Sequence, residues 1–371
     1  MKILVNTSNL KKGGGLQVAH SFLNEIKSNT EHIFHIVLSL ALREQINPQD
    51  YPENFTFYNY SINPTLLKAI AGRDSFLNSL EEKIQPDKVF SVFGPTYWRP
   101  KRIHVTGFAK AQYLYKNSPF FDLLSTKDRI KLKIKQVLHL NNFNKCSDVL
   151  ITESEDVTKQ LQKIFLNKKI HTVTNYYNQM FDMPDYWDNS IKLPEFNGLT
   201  ILTVSANYPH KNLSIIPQVI SYLKENHPKF RFRFILTING GDIAYDDSQK
   251  ENIVFLGKIN ITQCPFVYKQ SDFMFLPTLL ECFSASYAEA MRMETPILTS
   301  DLSFAHGLCG NSAIYFNPLS PSDIGEKIVK LAKSEDKQTK LVENGKQQLK
   351  KFDNSTVRAL KYLKIMEELK T

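Results

Sequence analysis

Short apolar runs alternate along the chain with stretches whose apolar residues recur at helical spacing. Residues 3–5 form the first run, and apolar side chains then return every three or four positions over residues 18–26. Further patterns predict strands at 33–38, 88–93, 103–106, 149–152 and 170–174, and helices at 64–84, 127–144 and 156–165. Strands that alternate with helices indicate a parallel sheet with helices on both faces.

The stretch 175–198 breaks this alternation, because it is rich in Asn, Asp, Pro and aromatic residues, and it is the best candidate for a linker. The alternation then restarts. The later patterns predict strands at 200–204, 230–238, 253–256, 273–276 and 296–299, and helices at 213–226, 284–293, 321–333 and 355–369. The chain is therefore predicted to form two doubly wound, Rossmann-like α/β domains, residues 1–175 and 176–351, that face a cleft.

Composition excludes several classes of protein. The chain has 371 residues, of which 42% are hydrophobic, and this is enough to form two cores. No stretch approaches the ~18–20 consecutive apolar residues of a membrane span, and the N-terminus lacks the apolar run and cleavage site of a signal peptide. The four cysteines lie far apart and form no CxxC motif. These features argue against a transmembrane, secreted or zinc-ribbon protein and predict a cytoplasmic one.

The positive charge of the chain is confined to its first half. The formal net charge is +9, and residues 1–175 carry all of this excess, with 24 Lys and Arg against 15 Asp and Glu. The densest part is residues 127–135. A basic region is typical of proteins that bind nucleic acid, an anionic membrane or a phosphorylated substrate, but it is also typical of a solvated helix face. Nucleic-acid binding is the weakest of these interpretations, because no recognisable module accompanies the charge.

Glu281 and Glu289 flank the strongest candidate site, which follows the predicted strand 273–276. Ser284 and Ala285 lie between them, where the next helix is predicted to begin. The unpaired backbone N–H groups and the positive dipole of a helix N-terminus can receive a phosphate. Ionised carboxylates only accept hydrogen bonds, which suits the hydroxyls of a sugar and a ribose. The alternative interpretation is that Glu289 is a solvated helix residue and Glu281 an ordinary loop charge.

Three weaker candidates follow other predicted strands. Lys211 lies where the helix after strand 200–204 begins, so its ammonium group can reach a phosphate at the strand ends. The triplet 13–15, Gly-Gly-Gly, allows close backbone approach, although Val18 stands where a dinucleotide fingerprint has its third glycine. His104 lies at the strand 103–106 and the loop leaving it, and a histidine can move a proton near neutral pH. A surface lysine, a tight turn and a structural histidine remain the alternatives.

Taken in order, these motifs resemble those of a retaining glycosyltransferase of the GT-B type, family 4 (glycosyl transferases group 1). That family has an N-terminal strand, a glycine-rich loop, a linker, a K-N-L loop, a strand ending in x-P-[ST], an E-x7-E motif and a C-terminal helix. The matching parts of this chain are residues 2–5, 13–15, 175–198, 211–213, 277–278, 281–289 and 355–369. The resemblance covers nearly all of the second half and is looser in the first.

The resemblance implies a role for each candidate residue. Glu289 would bind the ribose hydroxyls of a nucleotide-sugar donor, Glu281 the transferred sugar, and Lys211 the diphosphate. Three backbone amides would share the diphosphate: those of Phe283, Ser284 and Ala285. Two glycines would approach it from the other domain: Gly14 and Gly15. His104 would lie near the donor sugar and the acceptor, as a catalytic residue together with Glu281.

The implied activity is retaining transfer of a sugar from a nucleotide-diphosphate donor to a glycan or lipid-linked glycan acceptor, in the synthesis of a bacterial surface polysaccharide. The family uses no essential metal or cofactor, and the sequence contains no HxxxH, HExxH or Asp-x-Asp spacing. The C-terminal helix, 352–371, would pack back on the acceptor-side domain 1–175. Residues 127–135 would contact the inner face of an anionic membrane. The alternative is an inactive relative that binds a nucleotide sugar without transferring it.

Overall fold

The chain folds into two compact units. The structure, a computed structural model, describes residues 1–11, 13–61 and 72–370. The first unit comprises Met1–Leu114, Ser125–Asn175 and Asp353–Thr371, and the second comprises Tyr115–Leu124 and Tyr176–Phe352.

The first unit is built on a seven-stranded parallel sheet. Its strands are β1 (Lys2–Asn6), β2 (Ile33–Leu38), β3 (Phe55–Asn59), β4 (Lys88–Ser91), β5 (Ile103–Gly107), β6 (Val149–Thr152) and β7 (Lys169–Thr172). They lie in the order β3-β2-β1-β4-β5-β6-β7, and all neighbours are parallel. The order reverses between β1 and β4, which is where doubly wound sheets leave a crevice for a ligand.

The helices of this unit begin at polar capping residues or at glycine. Its described helices before residue 175 are α1 (Gly14–Ile26), α2 (Leu40–Arg43), α3 (Ser75–Ile84), α4 (Thr126–Cys146) and α5 (Glu155–Gln162). Asp74 Oδ1 accepts the amide of Leu77 at 2.9 Å, and Ser154 Oγ accepts that of Val157 at 3.3 Å. These side chains satisfy amides that have no partner within the helix, and so they set where α3 and α5 begin.

The second unit repeats the same winding on a six-stranded sheet. Its strands are β8 (Leu199–Thr203), β9 (Phe232–Leu236), β10 (Ile253–Phe255), β11 (Phe273–Leu276), β12 (Ile297–Ser300) and β13 (Ala313–Phe316). Its described helices are α6 (Ile216–Asn226), α7 (Cys264–Lys269), α8 (Ala285–Arg292), α9 (Ser303–Cys309), α10 (Pro321–Ala332) and α11 (Glu335–Leu349). The strand order is β10-β9-β8-β11-β12-β13, so β8 and β11 are adjacent at the point of reversal. The predicted fold class, two Rossmann-like α/β domains, is confirmed.

The last helix of the chain, α12 (Ser355–Glu368), completes the core of the first unit. The ring of Tyr362 lies 5.7 Å from that of Phe22 on α1 and 5.1 Å from that of Phe90 on β4, measured between centroids. The amide of Asp353, just before the helix, donates to Thr174 Oγ1 at 2.6 Å. These contacts place α12 against residues from the beginning and the middle of the chain.

The structure differs from the sequence prediction in several places, and helices α2, α7, α9 and α11 are among the elements that were not predicted. The helix predicted over 64–84 begins only at Ser75 within the described residues, because Gly72 adopts a φ of +63° and Asp74 caps the helix; residues 64–71 lie outside the described part. Two edge strands, β3 and β13, were not predicted. Residues 115–124, assigned by sequence to the first domain, pack in the second unit, where Tyr115 lies edge-on to Phe304 at 5.8 Å.

Replacing Leu363 of α12 by alanine is expected to lower the free energy of unfolding of the first unit by about 2–5 kcal/mol. The side chain is 4% exposed, so its loss leaves a cavity. Leu360→Ala is the matched control, because this leucine lies on the same helix but is 59% exposed; its effect should stay within about 0.5 kcal/mol. Urea unfolding of both variants measures the difference, and equal losses would contradict the packing of α12.

Candidate functional site

Lys211 and Glu281 form an ion pair in the second unit. Lys211 lies in the loop that follows β8, and Glu281 lies in the loop that follows β11. Because β8 and β11 are parallel neighbours, their carboxyl ends meet at the same edge of the sheet. Only 13% and 10% of the two side chains are exposed. The structure therefore brings these two predicted site residues together, and neither is an ordinary surface charge.

A small hydrogen-bond network holds the two loops against each other. The Thr278 hydroxyl lies 3.1 Å from Glu281 Oε1, and the amide of Leu279 donates to the His210 carbonyl at 2.7 Å. After Lys211 the chain turns through Asn212, whose φ is +54° and whose Nδ2 donates to the Pro318 carbonyl at 2.9 Å. Buried polar groups joined in this way keep their positions.

Helix α8 begins beside this ion pair. Ser284 is its N-cap residue, but the Ser284 side chain makes no capping hydrogen bond, and Ala285 is the first helical residue. The first amides of a helix have no partner within the helix, and they carry the positive end of its dipole. Phe283, the preceding residue, is half-buried and packs edge-on against Phe352 at 5.5 Å. The geometry suits an anion at this helix end.

Glu289 lies on the buried side of α8, one to two turns from its start. The Tyr268 hydroxyl lies 3.2 Å from Glu289 Oε2. Burial raises the pKa of Glu289 to about 7, while the Tyr268 hydrogen bond and the Lys211 charge act in the opposite direction. The interpretation of Glu289 as a solvated helix residue is therefore wrong. A buried carboxyl that titrates near neutral pH is a common feature of functional sites.

The glycine triplet opens α1 in the first unit. Gly13 has a φ of +78°, which favours glycine, and a Cβ on Gly15 would lie 3.3 Å from the Phe93 ring. A Cβ on Gly14 would meet nothing within 4 Å, and Gly14 is exposed. The backbone conformation thus favours glycine at position 13, and close packing favours it at position 15. The backbone at position 14 is open to a ligand.

His104 is buried within β5, at 1% exposure. Its Nε2 lies 2.7 Å from Ser91 Oγ, and its Nδ1 bonds the carbonyl of Cys146. Burial lowers the pKa of His104 to about 4, so the ring is neutral at pH 7. Both ring nitrogens of His104 therefore have partners within the first unit, while its predicted place near a donor and an acceptor stays a prediction. The structural alternative for this histidine fits the geometry.

Two further findings concern residues 1–11, 13–61 and 72–370. No three His, Cys, Asp or Glu side chains in these ranges come together as metal ligands would. No helix in these ranges is both long and apolar enough to cross a bilayer.

Sequence reasoning missed the residues that support the site. Tyr268 lies on α7, 21 positions before the glutamate that it contacts, and no spacing rule connects the two. His210 stands beside Lys211 in the sequence, but nothing in the sequence indicates that its carbonyl holds the Glu281 loop. Thr278 was included only as part of the P-[ST] motif.

Residues 187–348, which contain the ion pair and all of α8, match the family Glycosyl transferases group 1. The match covers 162 of the 371 residues of the chain, somewhat less than half. The predicted resemblance is thereby confirmed for that region.

A curated protein with sequence similarity is the O-antigen chain mannosyltransferase RfbU of Salmonella typhimurium. It is 26% identical over 125 residues, which are 32% of this chain and 34% of RfbU. The chain thus spans about a third of the length of this relative, and it spans 44% of a glycosyltransferase of Methanocaldococcus jannaschii that is 23% identical.

Solved structures of glycosyltransferases share the fold over the whole chain. WaaG, a glycosyltransferase involved in lipopolysaccharide biosynthesis, superposes with a TM-score of 0.67 at 13% identity and covers 100% of both chains. HepE of Anabaena, solved in complex with UDP and glucose, superposes with a TM-score of 0.62 at 12% identity and covers 99% of both chains. The region 187–348 that matches the family therefore lies within the second of two units in a GT-B fold.

The unusual titration of Glu289 predicts a pH dependence for the ligand-free protein. Its pKa is about 7 when folded and 4.5 ordinarily. A carboxyl with a raised pKa stabilises the fold below pH 4.5, and this contribution is lost as the pH rises to about 7. Relative to Glu289→Gln, the wild type should lose on the order of 3 kcal/mol across this range.

The measurement is urea unfolding at several pH values between 4.5 and 8. Glu225→Gln is the control, because Glu225 is an exposed glutamate on α6 of the same unit; this variant should follow the wild type. Parallel pH profiles for the wild type and Glu289→Gln would show that burial does not raise the pKa of Glu289.

Proposed function

We propose that this chain is a retaining glycosyltransferase. It moves a sugar from a nucleotide-diphosphate donor to a glycan or lipid-linked glycan acceptor in the synthesis of a bacterial surface polysaccharide. The observation that carries the proposal is the site in the second unit. There, the Lys211–Glu281 pair, the open N-terminus of α8 and the buried carboxyl of Glu289 lie at the carboxyl edge of one sheet.

Each part of this site is suited to bind a particular part of a nucleotide sugar. Lys211 and the first amides of α8 supply positive charge for a diphosphate. Glu281 accepts hydrogen bonds from hydroxyls of the transferred sugar, and Glu289 accepts those from the ribose. In the absence of a donor, Lys211 and Glu281 neutralise each other, which keeps both groups satisfied in a largely buried place.

The reaction needs stabilisation of a departing diphosphate. The acceptor hydroxyl attacks the anomeric carbon from the face on which the diphosphate leaves, so a new C–O bond replaces the old one with retention. The hydroxyl proton passes to a diphosphate oxygen. Negative charge on the leaving group grows during this step, and Lys211 and the α8 dipole stabilise it where it develops. The proposed reaction uses neither a metal ion nor a cofactor.

The proteins to which this chain is similar support the proposed class of substrate. RfbU is described as an O-antigen chain mannosyltransferase, WaaG as a lipopolysaccharide enzyme, and HepE was solved with UDP and glucose. These descriptions favour a nucleotide-sugar donor and a surface glycan acceptor for this chain as well. The first unit takes the acceptor in this proposal.

Lys211→Met is expected to weaken the binding of a nucleoside diphosphate by about 10- to 100-fold, because a hydrogen bond to a charged group contributes about 1.5–3 kcal/mol. Calorimetric titration with UDP, GDP and CDP, with and without EDTA, measures the affinity and identifies the base. Lys211→Arg keeps the charge and should retain most of the binding.

Lys224→Met is the matched control. It breaks another lysine–glutamate pair of the same unit, with Glu251 on the surface, and should leave the affinity unchanged. If the wild type binds none of the three diphosphates, the proposed function is overturned. Binding without release of diphosphate from any UDP-, GDP- or CDP-sugar would favour the inactive relative.

We further propose that α4 contacts an anionic membrane on its cytoplasmic face, which would bring the enzyme to a lipid-linked acceptor. Ile130, Ile134 and Val137 are more than half exposed and, at a spacing of four and three residues, share one face of the helix. Exposed lysines flank this apolar face, among them Lys131 and Lys133. An apolar stripe between basic residues is typical of a helix that lies in the plane of a membrane surface.

Neutralising three lysines of α4, Lys131, Lys133 and Lys135, to glutamine is expected to weaken binding to phosphatidylglycerol vesicles roughly a hundredfold, at about 1 kcal/mol per charge. Three exposed lysines of the second unit provide a charge-matched control: Lys330, Lys333 and Lys340. Vesicle sedimentation measures both variants. Equal binding of the wild type and the α4 variant would refute the membrane contact.

A further inference from the structure

Ten residues from the first half of the chain belong to the second unit. Residues 115–124, here named the strap, pack there, although Leu114 and Ser125 on either side belong to the first unit. The strap contains a short 3-10 turn, Pro119–Leu123. The glycosyltransferase family match begins only at residue 187, so it does not include the strap.

The first contact of the strap is a buried hydrogen bond. The hydroxyl of Ser118 donates to the Leu279 carbonyl at 2.7 Å. The same oxygen accepts the amide of Phe120 at 3.1 Å and so begins the 3-10 turn. Ser118 is only 8% exposed. Its single hydroxyl thus orders the strap and binds it to the loop that follows β11.

The second contact is aromatic. The ring of Phe120 lies edge-on to His210, with 6.3 Å between centroids. His210 stacks in turn on Tyr208, with 5.6 Å between centroids and 6° between the planes. Edge-to-face and stacked rings of this kind prefer a defined geometry. The strap therefore also holds the loop that follows β8.

These two contacts lie next to the charged pair of the proposed site. Leu279 is two residues before Glu281, and His210 is the residue before Lys211. The two loops also bond to each other at this place, since the Leu279 amide donates to the His210 carbonyl at 2.7 Å. The strap thus contacts both loops where they join, and each charged residue follows within two positions.

We propose that the strap positions the donor site, and that Ser118 is a positioning residue for Glu281 and Lys211. By fixing the Leu279 carbonyl, Ser118 restricts the turn that carries Glu281, so that the carboxylate is in place before the donor arrives. A preorganised site loses less conformational entropy on binding. This proposal rests on the proposed function for the roles of Glu281 and Lys211, but its structural part does not.

The structural part is tested without a ligand, by amide hydrogen exchange of the full chain. In Ser118→Ala, the exchange of residues 278–284 should become about three- to tenfold faster, the effect of one lost hydrogen bond. Ser118→Thr retains a hydroxyl and should restore the protection. Ser154→Ala is the control, because Ser154 is a buried helix cap of the first unit; it should leave residues 278–284 unchanged.

The functional part is tested by calorimetric titration of the same variants with UDP, GDP and CDP, and by the KM of the donor. Ser118→Ala should weaken diphosphate binding and raise KM about three- to tenfold, while Ser118→Thr and Ser154→Ala should match the wild type. Phe120→Leu keeps an apolar side chain but removes the ring contact with His210. It should also weaken diphosphate binding and raise KM.

The outcomes separate the two proposals. Unchanged exchange at 278–284 in both Ser118→Ala and Phe120→Leu overturns the strap proposal, whatever the ligand. Faster exchange with unchanged diphosphate affinity and KM also overturns it, because the order of the turn would then have no effect on the site. A wild type that binds no diphosphate overturns the proposed function, and with it the role of the strap at a donor site.

Discussion

The adjacency of β8 and β11 is the constraint on which the proposed site depends. Parallel strands end at the same edge, and the strand order reverses between these two, so no helix of the sheet separates the loops that follow them. One loop supplies Lys211, and the other supplies Glu281 and leads into α8. A single pairing therefore places a cation, a carboxylate and a helix N-terminus together, although they come from parts of the sequence about 70 residues apart.

Burial affects the three charged groups of this site in different ways. Lys211 and Glu281 form an ion pair with each other, so each charge has an opposite charge beside it in a largely buried place. Glu289 accepts a hydrogen bond from the Tyr268 hydroxyl, and burial raises its pKa to about 7 although this bond and the Lys211 charge act in the opposite direction. Its ionised form therefore needs donors that the ligand-free protein does not fully provide. Two neighbouring ribose hydroxyls are donors of the required kind, and this is what the proposed function assigns to Glu289.

The fold was largely predictable from the sequence because several of its buried strands contain continuous apolar runs, as at residues 3–5 and 273–276. The edge strand β3 was missed because it mixes apolar with polar residues, and β13 was missed although its four residues are apolar. At the site, motif order pointed to Glu281, Glu289 and Lys211, which lie at neighbouring strand ends and on α8, whereas spacing could not indicate that His104 is buried. The bond from Ser118 to Leu279 spans 161 positions and depends on tertiary packing alone. No local sequence pattern indicates a contact of that kind.

The position of α12 in the first unit has a consequence for how the chain is made. A ribosome adds about 5–20 residues per second. The larger part of the second unit, Tyr176–Phe352, is synthesised after Asn175 and before Ser355, so Tyr362 reaches Phe22 and Phe90 only about 10–40 s after Asn175 has been added. During that interval α1 and β4 lack the apolar cover that α12 provides, and exposed apolar surface of this kind is what chaperones recognise. The unit that begins first during translation is therefore the unit that is completed last.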